Sequence, residues 1–286
     1  MTKKNLRQEI TNRILTALRA GVVPWVKPWT NANDSGPTNI QTGKAYRGIN
    51  VWILNLIQAE QGYPTNEWLT FKQAKTLGGS ILPRPDSVAR GGWGHSIIFW
   101  KFVRRIDDEE NDSSFPLLKA YTVFNRAQTE GLPEPEVVEV LDHERHAHAE
   151  ATIAATGAEI GYGGDRAFYD RAGDRIQVPS LNSFHNPESF YSATFHELAH
   201  WTGAKKRLNR EKSKNFGSKT YAIEELIAEL AAAYLCIEHK ISGALQHEEY
   251  ISSWIKTLES DVNFIFTASS KAQKASDYIT QTPVEV

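Results

Sequence analysis

The chain has 286 residues, enough for two domains that each build a core, and a hydrophobic fraction of 41% with 10% aromatics, the composition of a soluble globular protein. No apolar run reaches the length of a membrane span and the N-terminus MTKKNLRQEITNRILTAL lacks a secretory core, so no membrane partner and a cytoplasmic location are expected. The formal charge of −2 divides into +10 over residues 1–106 (15 Lys and Arg against 5 Asp and Glu) and −12 over residues 107–286 (17 against 29), which excludes a uniformly basic or acidic protein and suggests two functional halves.

In chain order, residues 5–20 place Ile10, Ile14, Leu15 and Leu18 at helical spacing and end at Gly21. The following GVVPWVKPWTNANDSGPTNIQTGKAYRG has the Pro, Gly and Asn content of a loop. INVWILNLIQAEQG and TFKQAKTLGG read as short helices. HSIIFWKFVRRI and LLKAYTVFNRAQ read as strands around an acidic turn, DDEENDSSFP. Gly131–Glu144 is the expected linker, and AHAEATIAATGAEIGYG an expected helix after it. RAFYDRAGDRIQVPS reads as a hairpin turning at Ala172, Gly173 and Asp174. Two further helices carry TFHELAHWTG and YAIEELIAELAAAYL, and one C-terminal helix spans EEYISSWIKTLESDVNFIFTAS, with a disordered tail expected from Thr280. The fold class is α+β in two domains, residues 1–130 and 148–286, joined by a linker at 131–147. Cys236, the single cysteine, excludes an internal disulfide and thiolate metal sites, and reads as a small buried apolar residue. His143, His146 and His148 sit at the polar linker and read as exposed.

The basic half interleaves cations with rings, as binding of unpaired nucleic acid requires: cations follow phosphates and exposed rings stack on bases. Six of the eight tryptophans lie there. The candidate residues are Trp25, Lys27 and Trp29 of PWVKPW, Lys44, Tyr46 and Arg47 of KAYRGIN, Lys72 of TFKQAK, and Lys101, Arg104 and Arg105 of FWKFVRR. For any single tryptophan, burial in the core is the commoner fate.

The acidic half contains H-E-x-x-H. On a helix, His196 and His200 lie four residues apart on one face, so both imidazoles can reach one ion. Glu197 beside them is placed to take a proton from a metal-bound water. A catalytic zinc needs a third protein ligand, and the Tyr221–Leu235 segment offers Glu225 and Glu229. Glu229 is preferred, because Ala228 and Ala231–Ala233 would let its helix approach closely; Glu225 is the alternative. Tyr191 and Tyr221 are near the motif in sequence but receive no assigned role. No paired acidic motif with a Gly-rich phosphate loop is present, which argues against nucleotidyl transfer.

The ordered blocks PWVKPW, GKAYRGINVWIL, TFKQAKTLGG, YTVFNRAQTEGL and DRIQVPSLNSFHNPESFYSATFHELAHWTG resemble the ArdC-type antirestriction proteins of conjugative plasmids, whose first domain is similar to the N-terminal region of TraC-type primases. The resemblance spans essentially the whole chain. It implies an N-terminal single-stranded-DNA-binding domain and a C-terminal zincin-like metallopeptidase domain of the gluzincin type, protecting incoming DNA from restriction. It puts metal ligands on His196 and His200, the acid/base on Glu197 and the third ligand within Glu225–Glu229. The implied cofactor is Zn²⁺, with Mn²⁺ or another divalent ion as alternatives. Single-stranded DNA is the implied partner, together with a protein substrate in the restriction system. The competing expectation is a DNA-masking protein whose metal domain is structural or catalytically inactive. In zincin-like folds an edge strand above the metal can pair with an extended peptide, a role the hairpin has the length to fill.

Overall fold

A computed structural model describes residues 6–26, 36–106, 112–134, 142–210, 219–242 and 250–281. The chain divides into two compact units that do not follow chain order: Gly36–Val137 is one, and Met1–Ser35 together with Val138–Val286 is the other. The expected first domain of residues 1–130 is therefore not one compact body. The reason lies in α1 (Leu6–Arg19), whose apolar stripe Ile10, Ile14, Leu15 and Leu18 is buried, and which packs on α7 (Ile251–Ser260) of the metal-site half. Thr11 Oγ1 donates to the Val262 carbonyl at 3.0 Å, Arg7 to Asn263 Oδ1 at 2.6 Å, and Arg19 pairs with Glu259 at 2.6 Å. Beyond α1, Trp25 is 4% exposed and meets Trp254 edge-to-face at 5.7 Å.

The unit of residues 36–137 is built on a sheet of order β1-β2-β5-β4, from β1 (Thr38–Asn39), β2 (Glu67–Leu69), β5 (Asp112–Asn125) and β4 (His95–Ile106). β4 and β5 keep one antiparallel register from His95↔Val123 to Ile106↔Asp112, so β5 starts inside the segment expected to turn. The helix α2 (Ile49–Gln61) buries Trp52 and stops at Gly62, whose φ of 64° suits a residue without Cβ. Asn50 satisfies both backbone groups of Ile98 on edge strand β4, donating to its carbonyl at 2.7 Å and accepting from its N–H at 2.9 Å. The short α3 (Phe71–Thr76) begins with a capping box between Thr70 and Gln73, and β3 (Ser80–Ile81) pairs with β6 (Thr129–Glu130).

In the other unit, α4 (Asp142–Ala155) begins within the expected linker, and residues 135–141 of that linker lie outside the described residues. Glu159–Tyr162 is not the end of that helix but strand β7: Gly157, at φ 65°, breaks the helix before it. β7 pairs in parallel with β9 (Arg175–Val178), and β9 pairs antiparallel with β8 (Phe168–Asp170), giving the order β7-β9-β8. Asp174, at φ 52°, makes the expected turn. Against this sheet lies α5 (Pro187–Thr202), and on α5 pack α6 (Lys219–Glu238) and α8 (Phe264–Thr280). Their core includes Ile176, Val178, Phe195, Leu198, Leu235, Ile279 and Cys236, the last buried as expected. The C-terminal helix is in fact α7 and α8, broken at 261–263; residues 282–286 of the tail lie outside the described residues. No helix among the described residues is long and apolar enough to cross a membrane.

A network at the hairpin turn joins the sheet to the segment after α5. Asp174 accepts from Arg207 and, at 2.6 Å, from Tyr169 Oη, while Arg207 Nε donates to the Trp201 carbonyl at 2.6 Å. The Arg207 guanidinium holds the Asp174 carboxyl well below its ordinary 3.8, against a smaller opposing effect of burial. A depressed carboxyl stabilises the fold above its unfolded value, and that contribution is lost as pH falls. Asp174→Asn, which keeps the left-handed backbone tolerable, is expected to cost about 2 kcal/mol at pH 7 by urea unfolding, with the difference starting to shrink as pH drops below about 4 and gone only once pH falls through the depressed native-state value. Ile14→Ala in α1 is expected to cost about 2–5 kcal/mol. Hydrogen exchange should then show α7 amides losing protection while β2 and the β5 residues paired with it do not; loss in β2 instead would contradict the division into units.

Candidate metal centre

Asn186 caps α5 by accepting from Ser189 N–H at 2.8 Å, Pro187 occupies the first turn, and the Gly203 N–H closes the far end on the His200 carbonyl at 3.0 Å. The motif helix then divides by face. Phe195 and Leu198 enter the core under the sheet, while His196 and His200 turn towards α6. Buried Ala228, Ala231 and Ala232 on α6 keep its backbone near α5.

The two Nε2 atoms lie 3.1 Å apart, and Glu225 Oε2 is 3.4 Å from each. One ligand atom from each of His196, His200 and Glu225 falls within 4.8 Å of the others. Glu229 Oε1 instead lies 3.8 Å from His196 Nδ1, behind that ring. The geometry therefore groups Glu225, not the preferred Glu229, with the histidines. The alanines do bring α6 close, but the carboxylate reaching the Nε2 side is one turn earlier on the helix.

Glu224, which sequence reasoning passed over, stands behind the second ring: its Oε1 is 3.4 Å from His200 Nδ1. Arg210 fixes Glu224 through 2.8 and 3.2 Å hydrogen bonds and also donates to Thr202 Oγ1 at 2.8 Å and the Ala199 carbonyl at 2.6 Å. Each imidazole thus has a carboxylate on both sides, the arrangement by which outer partners orient metal-ligating histidines. Nothing in the sequence distinguishes Glu224 from Glu225 except helical phase, and Arg210 comes from beyond the motif.

Glu197, Glu224, Glu225 and Glu229 are all buried, and Arg210 brings one positive charge to them. Buried carboxylates require compensation. Burial would lower His200, but the carboxylates of Glu224 and Glu225 outweigh it and push it up to about 10. His196 is lowered by burial, against the pull of Glu225, and favours the neutral form a metal ligand needs. Burial would raise Glu225, yet hydrogen bonds from both histidines hold it far below the carboxylate range. Two imidazoles, one carboxylate and a neighbouring Glu197 are a donor set suited to a divalent cation with a coordination position to spare. Tyr191 is committed elsewhere, donating to Glu150 at 3.0 Å.

The nucleic-acid candidates fare unevenly. Trp25 is buried in the metal-site unit, so its ring is not displayed to a ligand. Trp52 and Trp68 are fully buried as well. Lys27 and Trp29 lie outside the described residues. Lys44, Arg47 and Lys72 are exposed, and Tyr46 is half-buried with its hydroxyl accepting from Asn39 Nδ2 at 3.3 Å. Lys101, Arg104 and Arg105 sit on β4 opposite Leu117, Ser114 and Ser113. The displayed rings are ones the tryptophan count overlooked: Phe71, and the edge-to-face pair Phe99 and Tyr121, 46% and 45% exposed with centroids 5.3 Å apart.

Comparison with known proteins matches two segments of the chain to two families. Residues 4–124 match the N-terminal domain of anti-restriction factor ArdC, and residues 147–271 match a zincin-like metallopeptidase family. An uncharacterized protein y4eC of Sinorhizobium fredii is 34% identical over 97% of this chain and 92% of its own length. A DNA primase TraC of Escherichia coli is 36% identical over 97% of this chain, which spans 27% of that protein. The crystal structure of antirestriction protein ArdC from plasmid R388 in its metal-free form superposes with a TM-score of 0.81 at 38% identity, covering 97% of both chains. Its Mn(II)-bound form gives 0.78 at 36%, covering 99% of both. On agreement that runs through both halves and nearly end to end, the chain belongs to the ArdC family of antirestriction proteins.

Proposed function

We propose that this chain is a plasmid-type antirestriction protein that binds single-stranded DNA through the unit of residues 36–137 and holds a divalent cation, zinc or manganese, on His196, His200 and Glu225. The observation that carries the metal reading is the placement of Glu225 Oε2 at 3.4 Å from both imidazole nitrogens, with Glu197 buried beside them. A divalent ion at such a site supplies Lewis acidity towards a carbonyl and an acidified water. Glu197, buried beside that site, would serve as the proton carrier, taking a proton there and delivering it to the leaving amine of a peptide. Glu224 and Glu229 orient the rings, and the helix–sheet core excludes bulk water from one side.

The DNA reading is supported by exposed Lys44, Arg47 and Lys72 together with Phe71, Phe99 and Tyr121. The basic excess is local. Residues 36–106 carry 9 Lys and Arg against 3 Asp and Glu, while residues 107–137 carry 2 against 8, so the unit as a whole is neutral. Affinity then depends on the basic residues being displayed together with the rings.

Glu225→Ala is expected to weaken zinc binding by more than about a hundredfold, whereas Glu224→Gln and Glu229→Gln should each cost about 10–100-fold, read by calorimetry. If Glu229→Ala costs more than Glu225→Ala, the ligand assignment is reversed. Glu197→Ala should keep metal and DNA affinity and lose peptide hydrolysis. Antirestriction that survives this change assigns protection to DNA coating. Replacing both Phe99 and Tyr121 by Ala should weaken single-strand binding about tenfold or more, while Lys44→Ala or Lys72→Ala should each reduce the salt slope by about 0.7; unchanged affinity and slope in all of them would place DNA elsewhere.

A further inference from the structure

The first turns of α6 hold more than the grouped carboxylate. Tyr221 precedes Glu225 by one helical turn and hydrogen-bonds it through its phenol. A carboxylate only accepts, so in the hydrogen bond with Glu225 the phenol is the donor, and the Tyr221 hydroxyl is also hydrogen-bonded with that of Tyr250. The rings behind them form a continuous stack. Tyr221 and Tyr250 have centroids 5.8 Å apart, Tyr250 and Trp254 6.4 Å, and Trp254 and Trp25 5.7 Å. Trp254, fully buried, also donates its indole N–H to the Ala222 carbonyl at 2.9 Å, which fixes the backbone next to Tyr221. Tyr250 and Trp25 are buried too.

We propose that Tyr221 is a positioning residue for Glu225, and that Trp25 buttresses it through Trp254 and Tyr250, so that the N-terminal segment completes the metal centre. This rests on the reading of His196, His200 and Glu225 as ligands. Its physical content is rotational. A glutamate side chain turns freely about its terminal bond, and a phenol bonded to the carboxylate selects the rotation that keeps Oε2 on the two imidazoles. The phenol is itself held by a second hydroxyl and a wall of rings. Trp25, expected from sequence to meet DNA, acquires a different role as the point where the N-terminal chain touches this wall. The stack lies wholly within the unit formed by residues 1–35 and 138–286.

The test is titration of full-length protein with Co²⁺ alone, following visible absorption and calorimetry. Tyr221→Phe removes one oxygen and keeps the ring, so it is expected to weaken Co²⁺ binding about 10–100-fold, as loss of an outer partner does, and to shift the absorption bands. The thermal midpoint of its metal-free form should not change. Trp25→Phe should weaken Co²⁺ several-fold, and combining it with Tyr221→Phe should add less than the sum of the two, because one support is already lost. A Tyr221→Phe affinity within twofold of wild type, with unchanged bands, overturns the positioning role. Additive effects, or a Trp25→Phe change seen in thermal midpoint alone, overturn the part assigned to the N-terminal segment. Wild-type protein that takes up no Co²⁺ overturns the ligand reading itself, and is distinguished from the other outcomes by that.

Discussion

The closeness of α5 and α6 is the constraint on which the metal-site half depends. Two histidines at helical spacing present nitrogens from one face, but an ion needs a donor from the opposite side within a few ångströms. Ala228, Ala231 and Ala232 remove the bulk that would hold the helices apart, and Phe195 and Leu198 fasten the other face of α5 to the sheet. Closeness then has an electrostatic consequence. It buries four carboxylates around two imidazoles, and such a group must be neutralised. Arg210 supplies one positive charge, and the carboxylates of Glu224 and Glu225 push His200 up towards its charged form; a bound cation would add to that compensation.

The division of labour along the chain is not its division in space. A family boundary near residue 124 separates sequence segments, yet the first helix is part of the core that α7 completes. Such an arrangement follows from amphipathicity: α1 has an apolar stripe to cover, and α7 is the helix it packs on.

Much of this was legible in sequence where the signal was local. H-E-x-x-H on a helix, the hairpin at Asp174, the two helices of residues 49–61 and 71–76, the burial of Cys236 and the two-domain α+β class all follow from spacing or composition, and each agrees with the structure. What was not legible depends on partners far away in sequence. Helical phase leaves Glu224, Glu225 and Glu229 equivalent until the crossing of α5 over α6 selects which one meets Nε2. Arg210 cannot be joined to Glu224 without that crossing. Tryptophan content pointed to stacking, but indoles are large apolar groups and the core took Trp25, Trp52 and Trp68, leaving phenyl and phenol rings at the surface. Strand β7 was hidden because Ala-rich sequence before it continues the helical pattern up to Gly157.

The same geometry bears on whether a metal here is a structural staple. A staple is required when ligands have no other reason to converge, and then binding energy is folding energy. Here the convergence is enforced by other interactions: the sheet-side core holds α5, Arg210 ties Glu224 on α6 to the Ala199 carbonyl and the Thr202 hydroxyl of α5, and the aromatic stack supports the start of α6. R388 ArdC has been crystallised both metal-free and with Mn(II), and this chain superposes on each over nearly its whole length. Where convergence of the side chains does not depend on an ion, the ion's binding energy would be left for chemistry rather than for closing the fold.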